Sequence, residues 1–238
     1  MPASGRVTLG KLKMKSLAFR ALRGWVFFQV FLALLLCLSA GTLFSWPIWA
    51  YWLLFGISTA ATTIYFLKHD PGLVERRMAV GPAAEKRPTQ KAIQTATSIA
   101  LCTLYIAAGL DIRFGWSTVP VAVVVLGDVL VAVSFFILFV VFRQNSFAAA
   151  TVELQPEQRV ISTGLYGYVR HPMYTDSIVL FAGTALALGS YVALIPAVLL
   201  TLLIAARLVD EERFLCANLA GYEDYRRQVR YRLIPGLW

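Results

Sequence analysis

Residues 119–142 read VPVAVVVLGDVLVAVSFFILFVVF, an unbroken apolar run interrupted by one charge, Asp128. About 20 consecutive apolar residues suffice for a helix to cross the hydrocarbon of a bilayer, so this stretch reads as a membrane span. Three runs of the same kind precede it, at about Trp25–Phe44, Pro47–Leu67 and Ile93–Leu110. Beyond it, Ser177–Leu208 is too long for one span and is broken at Leu188-Gly189-Ser190, with Pro196 further on. That segment reads as a helical hairpin with arms at about Met173–Leu188 and Tyr191–Glu212, turned tightly at Gly189. The first arm is short for a crossing and is therefore expected to be tilted, re-entrant or covered by neighbours.

Composition agrees with these runs. Of 238 residues, 58% are apolar and 15% charged, with mean hydropathy +0.67; a soluble domain is nearer 45–50% and about 25%. The fold class expected is all-α, a polytopic membrane protein of about six hydrophobic helices. Disorder, a disulfide scaffold and a coiled coil are excluded. The net charge of +9 has no soluble fold to lie on, so anionic membrane lipids rather than nucleic acid are the expected neighbours. Cys37, Cys102 and Cys216 are scattered and suggest neither a disulfide framework nor a metal site.

Lys and Arg gather on cytoplasmic loops, and here they alternate as that rule requires. Arg6, Lys11, Lys13, Lys15, Arg20 and Arg23 precede the first span; Lys68, Arg76, Arg77, Lys86, Arg87 and Lys91 lie between spans two and three. Arg143, Arg159 and Arg170 precede the hairpin, a further group runs from Arg207 to Arg232, and Arg113 alone is left for the other side. Both termini and the polar loops are expected in the cytoplasm. Residues 1–24 form a basic segment with Leu9, Leu12, Leu17 and Leu22, expected as an interfacial helix; a cleaved signal is the rival, disfavoured by the length of the following run. Residues 25–143 are the four spans, and residues 144–238 combine polar loop, hairpin and tail. No repeat suggests duplicated transporter halves.

Asp128 within its span reads either as a proton-relay group or as an Asp hydrogen-bonded to a neighbouring helix. Asp111 and Arg113, with Trp116 close by, are expected as an end-of-span ion pair. The chemistry is expected elsewhere. Thr163–Tyr174 reads TGLYGYVRHPMY, with glycines that admit close backbone approach and Pro172 suited to a helix's first turn. Arg170 and His171 then precede a helix N-terminus, where free N–H groups favour a carboxylate. A second polar group, Arg207 to Arg213, emerges from the hairpin's long arm. There Arg207 and Glu211 share a helical stripe while Glu212 points roughly 100° away. An antiparallel hairpin brings Arg170–Tyr174 beside Arg207–Leu215.

The ordered pattern Gly164-x-Tyr166-x-x-x-Arg170-His171-Pro172-x-Tyr174, then Glu211-Glu212-x-x-Leu215, then Gly221-Tyr222, Tyr225, Val229 and Arg232-Leu233-Ile234-Pro235 resembles the isoprenylcysteine carboxyl methyltransferase family, which has phospholipid N-methyltransferase and bacterial thiol methyltransferase relatives. The resemblance runs from about Asn145 to Trp238, with a weaker echo at Asp111–Trp116. It implies a C-terminal hairpin and cytoplasmic tail that enclose S-adenosylmethionine, with S-adenosylhomocysteine as product, and a lipophilic or amphiphilic acceptor admitted from the bilayer. Tyr166, Val169, Arg170, His171, Pro172, Tyr174 and Leu215 would line the cofactor pocket. Glu212 would bind the cofactor's polar groups, and Tyr222 and Tyr225 would close over it.

The catalytic set implied is Arg170, Arg207 and Glu211, with Arg207 and Asn145 touching the acceptor and no metal. A carboxylate acceptor would be held bidentately by Arg170 or Arg207. A thiol or amino-lipid acceptor needs a base, for which Glu211 and His171 are the nearby candidates. Two readings of another class remain open at this point: a membrane transporter, and a noncatalytic lipid-binding protein that keeps the fold.

Overall fold

The computed structural model describes residues 3–238, with side chains from Met14 onward, and among these residues the secondary structure is entirely helical. The helices are α1 (Ala3–Ala40), α2 (Trp46–His69), α3 (Pro71–Met78), α4 (Pro88–Phe114), α5 (Val121–Gln144), α6 (Pro172–Ala187), α7 (Leu194–Asn218) and α8 (Tyr222–Gln228), with a 3-10 turn at Gly164–Gly167 before α6. Proline opens α2, α3, α4 and α6, where its fixed φ suits the first turn and its missing N–H costs nothing. Asp70 caps α3 by accepting from the amide of Leu73 at 3.0 Å.

Four helices are long and apolar enough to cross a membrane: Met14–Ala40 of α1, then α2, α4 and α5. The chain is a multi-pass helical membrane protein, as the apolar runs indicated. α6 and α7 form the expected hairpin, with arms of 16 and 25 residues. Its turn depends on Gly189 at φ +71, a left-handed conformation that a residue without Cβ adopts freely. The basic segment and the first span join in one continuous helix, α1; the expected membrane-facing positions Leu9 and Leu12 lie outside the described side chains.

Close backbone approach sets the packing. A Cβ added at Gly127 of α5 would fall 2.2 Å from the backbone nitrogen of Ala187 in α6, so these helices touch along their main chains, as small residues permit between helices in lipid. One apolar core joins six helices through Leu32, Ile48, Leu104, Val131, Ala185 and Leu200. Inside it the Tyr51 hydroxyl reaches Tyr105 at 2.9 Å and Thr184 at 3.3 Å.

Two expectations about charges are corrected. Asp111 does not pair with Arg113; it accepts from the Ser117 amide at 2.7 Å, from the Ser117 hydroxyl and from Ser190 at 2.5 Å. Residues two apart on a helix point away from each other, and Arg113 instead lies over the Phe114 ring at 5.6 Å. The bond from Ser190 ties the α4–α5 corner to the hairpin turn. Asp128 is half-buried, and its Oδ1 finds no hydrogen-bond partner among the described residues.

Candidate active site

The polar loop after α5 begins the site. Leu165 donates its amide to Gln144 Oε1 at 2.9 Å, and Asn145 Nδ2 donates to the Tyr166 hydroxyl at 3.0 Å, so the end of α5 fixes the 3-10 turn. Arg170 and His171 follow in an irregular stretch and donate their amides to the carbonyls of Tyr231 and Arg232 at 2.9 and 3.0 Å. The tail thus pairs with the segment just ahead of α6. Thr175 fastens the next residue of the tail, donating to the Leu233 carbonyl at 2.7 Å.

Glu212 is the electrostatic centre of this latch. One oxygen accepts from Arg170 Nε at 2.6 Å and lies 3.3 Å from His171 Nε2; the other accepts from Arg232 Nε at 2.7 Å. Arg170 Nη1 reaches on to the carbonyls of Val229 and Arg230 at 2.7 and 2.8 Å. Burial opposes ionisation of Glu212, which is 3% exposed. Hydrogen bonds from His171, Arg170 and Arg232 outweigh it and hold the carboxyl far below the ordinary carboxylate range. A buried acid held by two guanidinium groups, those of Arg170 and Arg232, is paired throughout the physiological range.

The hairpin's second stripe makes a separate cluster. Arg207 Nε donates to the Tyr174 hydroxyl at 3.1 Å, and that hydroxyl donates to Glu211. Arg207 Nη1 donates to Gln94 Oε1 at 2.9 Å, Nη2 donates to the Ala150 carbonyl at 2.8 Å, and Nη2 also faces Glu85 at 2.8 Å. All three nitrogens of the guanidinium are therefore engaged within the protein. The bidentate grip expected of Arg207 or Arg170 needs two free N–H groups on one edge, and neither side chain has such an edge.

These clusters border one cleft that is open to solvent. Asn145, Tyr166, Arg170, His171, Tyr174, Arg207, Glu211, Leu215, Tyr222 and Tyr225, all singled out from the sequence, line it. Three others do not. Val169 is buried behind the wall, Pro172 starts α6, and Glu212 sits one layer back, occupied by its cations. The adjacent acid, Glu211, faces the cleft instead. Tyr222 meets His171 Nε2 at 3.3 Å and Tyr225 donates to the Tyr166 carbonyl at 2.8 Å, so α8 closes one side. Burial pushes the Tyr166 phenol up to about 12 and raises those of Tyr222 and Tyr225 well above the ordinary value. These groups act as neutral donors and aromatic surfaces.

The cleft also has residues that sequence reasoning missed. The stretch from Phe147 to Glu153 forms a wall, and its position depends on side chains from the α2–α4 region. Arg76 donates to the Ser146 carbonyl at 2.5 Å, Arg77 to that of Ala149 at 3.1 Å, and Lys86 pairs with Glu153 at 2.6 Å. In the sequence Glu85 is only an acid beside Lys86 and Arg87, with nothing along the loop to show what it meets.

Residues 122–220, from α5 to just past the end of α7, match the model of the phospholipid methyltransferase family. The chain is also similar to a protein-S-isoprenylcysteine O-methyltransferase of Schizosaccharomyces pombe, 33% identical over 72 residues, covering 29% of this chain and 30% of that protein. A further similarity is to a probable 7-dehydrocholesterol reductase of Acanthamoeba polyphaga mimivirus, 34% identical over 90 residues, 36% of this chain and 20% of that protein. The chain spans less than a third of the length of either relative.

Proposed function

We propose that the protein is an integral-membrane methyltransferase that takes its methyl group from S-adenosylmethionine and passes it to a lipophilic or amphiphilic acceptor. The observation that carries this reading is the cleft itself: the two motif segments, both within the matched residues, and α8, just beyond them, converge on it. The donor set fits the cofactor. Tyr166, Tyr222 and Tyr225 supply aromatic faces suited to a purine and a cationic centre, and Glu211 supplies a carboxylate whose one hydrogen bond among the described residues comes from Tyr174. When bound, the cofactor supplies a methyl group on a sulfonium sulfur that is already activated for displacement.

The chain's own work is then alignment and exclusion of water, which can supply most of the acceleration. Tyr222 and Tyr225 close the open side, while Arg170 and Glu212 hold the tail over it. Glu212 acts as a positioning residue in this reading, and Glu211 as the acid that meets ligand. For a carboxylate acceptor, the acceptor class favoured here, Arg207 and Arg170 supply positive potential and single N–H contacts with no proton to remove. A thiol or amine acceptor is the second reading, favoured by the free oxygen of Glu211, which can take the proton. His171 is less available as a base, because its Nε2 lies between Glu212 and Tyr222. The site and both termini are proposed to face the cytoplasm, from the distribution of Lys and Arg.

The test is calorimetric titration of the detergent-purified protein with S-adenosylhomocysteine, followed by transfer of labelled methyl from S-adenosylmethionine to prenylated carboxylates, lipophilic thiols and amino lipids in parallel. Micromolar binding with turnover on one class is expected. A folded protein that ignores S-adenosylhomocysteine but oxidises a nicotinamide hydride donor on a sterol would replace this reading with a reductase.

A further inference from the structure

The acid that faces Arg207 comes from outside the matched family domain. Glu85 lies in the loop between α3 and α4, 6% exposed, with Oε1 2.8 Å from Arg207 Nη2 and Oε2 accepting from the Val152 amide at 3.3 Å. Two residues on, Arg87 pairs with Asp210 at 2.9 Å, and Asp210 also accepts from Gln90 at 2.6 Å. The two pairs are crossed in sign, acid then base on the loop and base then acid on α7. Arg207 lines the cleft and Asp210 does not.

We propose that Glu85 is the positioning residue of Arg207, fixing its guanidinium at the cleft and tying the Phe147–Glu153 wall to the same point. This role rests on the methyltransferase reading above. Arg207 is 6% exposed, and its other direct partners, Tyr174, Gln94 and the Ala150 carbonyl, are neutral; Glu85 is the carboxylate in contact with it. A buried guanidinium deprived of its counter-charge moves toward the nearest remaining one. Here that is Glu211, already linked to Arg207 through Tyr174. Loss of the Glu85 charge therefore draws Arg207 toward Glu211 along the same face of α7 and leaves the Val152 wall unanchored.

The test uses the full chain with Glu85→Gln, Arg207→Gln, their double variant and Arg87→Gln. The readouts are kcat and KM for the acceptor and the dissociation constant of S-adenosylhomocysteine. Glu85→Gln is expected to lower kcat roughly 10- to 100-fold, the scale of an ångström-sized misplacement, while cofactor affinity changes by less than about threefold. The double variant should be no slower than Arg207→Gln alone, because Glu85 acts through that side chain. Arg87→Gln, which breaks the neighbouring pair, should retain kcat. Losses that multiply in the double variant, or an Arg87→Gln phenotype equal to that of Glu85→Gln, would overturn the proposal and reduce the loop to a fastening. Glu85→Asp keeps the charge and withdraws it by one methylene. Its kcat is expected below wild type at an unchanged melting temperature, and a wild-type kcat in this variant also overturns the proposal. A wild type that neither binds S-adenosylhomocysteine nor turns over removes the methyltransferase reading and, with it, the role.

Discussion

Glu212→Gln isolates the latch that holds the C-terminal tail over the cleft. The carboxylate receives Arg170 Nε at 2.6 Å and Arg232 Nε at 2.7 Å. Gln keeps one acceptor oxygen and turns an NH₂ group toward the other guanidinium, so one of the two charge-assisted bonds is lost and Arg170, 6% exposed, loses its counter-charge. Removing one partner of a buried ion pair costs about 3–5 kcal/mol. Arg232 is a third exposed and its share is screened by solvent, which brings the expected loss to about 2–4 kcal/mol. At about 1.4 kcal/mol per tenfold, S-adenosylhomocysteine should bind roughly 30- to 700-fold more weakly wherever binding requires the docked tail. Calorimetry measures that loss, and hydrogen exchange measures its cause, since the amides of Arg170 and His171 are protected by the Tyr231 and Arg232 carbonyls. Because the folded pKa of Glu212 is depressed, its contribution is fully present above the ordinary value of 4.5. The contribution fades as pH falls from there toward the folded value. A Glu212→Gln protein with wild-type affinity and unchanged exchange at Arg170 and His171 would refute the latch.

Other perturbations separate packing from chemistry. Gly127→Ala forces a methyl into the Ala187 backbone and should cost about 1–3 kcal/mol, seen as a lower melting temperature in detergent; Gly24→Ala, with open space around it, is the control and should not melt earlier. Tyr174→Phe removes the hydroxyl between Arg207 and Glu211; losing hydrogen bonds to charged groups at about 1.5–3 kcal/mol each should lower kcat by tenfold or more with cofactor affinity retained, and unchanged kcat would contradict the bridge. The Tyr166 phenol, raised by burial to about 12, should show no phenolate absorbance at pH 10 in a difference spectrum between wild type and Tyr166→Phe.

The sequence made the spans legible because lipid imposes a crude requirement, length and apolarity, that single residues rarely disguise. The hairpin was legible through Gly189, and the meeting of Arg170 with Arg207 followed from its antiparallel geometry. Which acid faces the cleft was not legible. Glu211 and Glu212 are adjacent in sequence, and their roles depend on how α7 is rotated against α6 and the tail, a fact of packing with no local signature. Asp111 was misread for a related reason: Arg113 is close in sequence, but Ser190, in a distant turn, is close in space. Glu85 escaped notice because its partner is 122 residues away, and charge patterning along a loop cannot show where the loop docks.

The crossed pairs at the base of α4 and α7 also bear on how a membrane protein fixes its internal alignment. Apolar helix faces in lipid resemble one another at every turn, and a slide of about 5.4 Å would exchange one leucine contact for another. At the water's edge such a slide is not neutral. Moved one way, α7 would set Asp210 against Glu85; moved the other way, it would set Arg207 against Arg87. Either displacement replaces two attractions with a repulsion, so four side chains outside the hydrocarbon act as an index mark that the greasy surfaces themselves cannot provide.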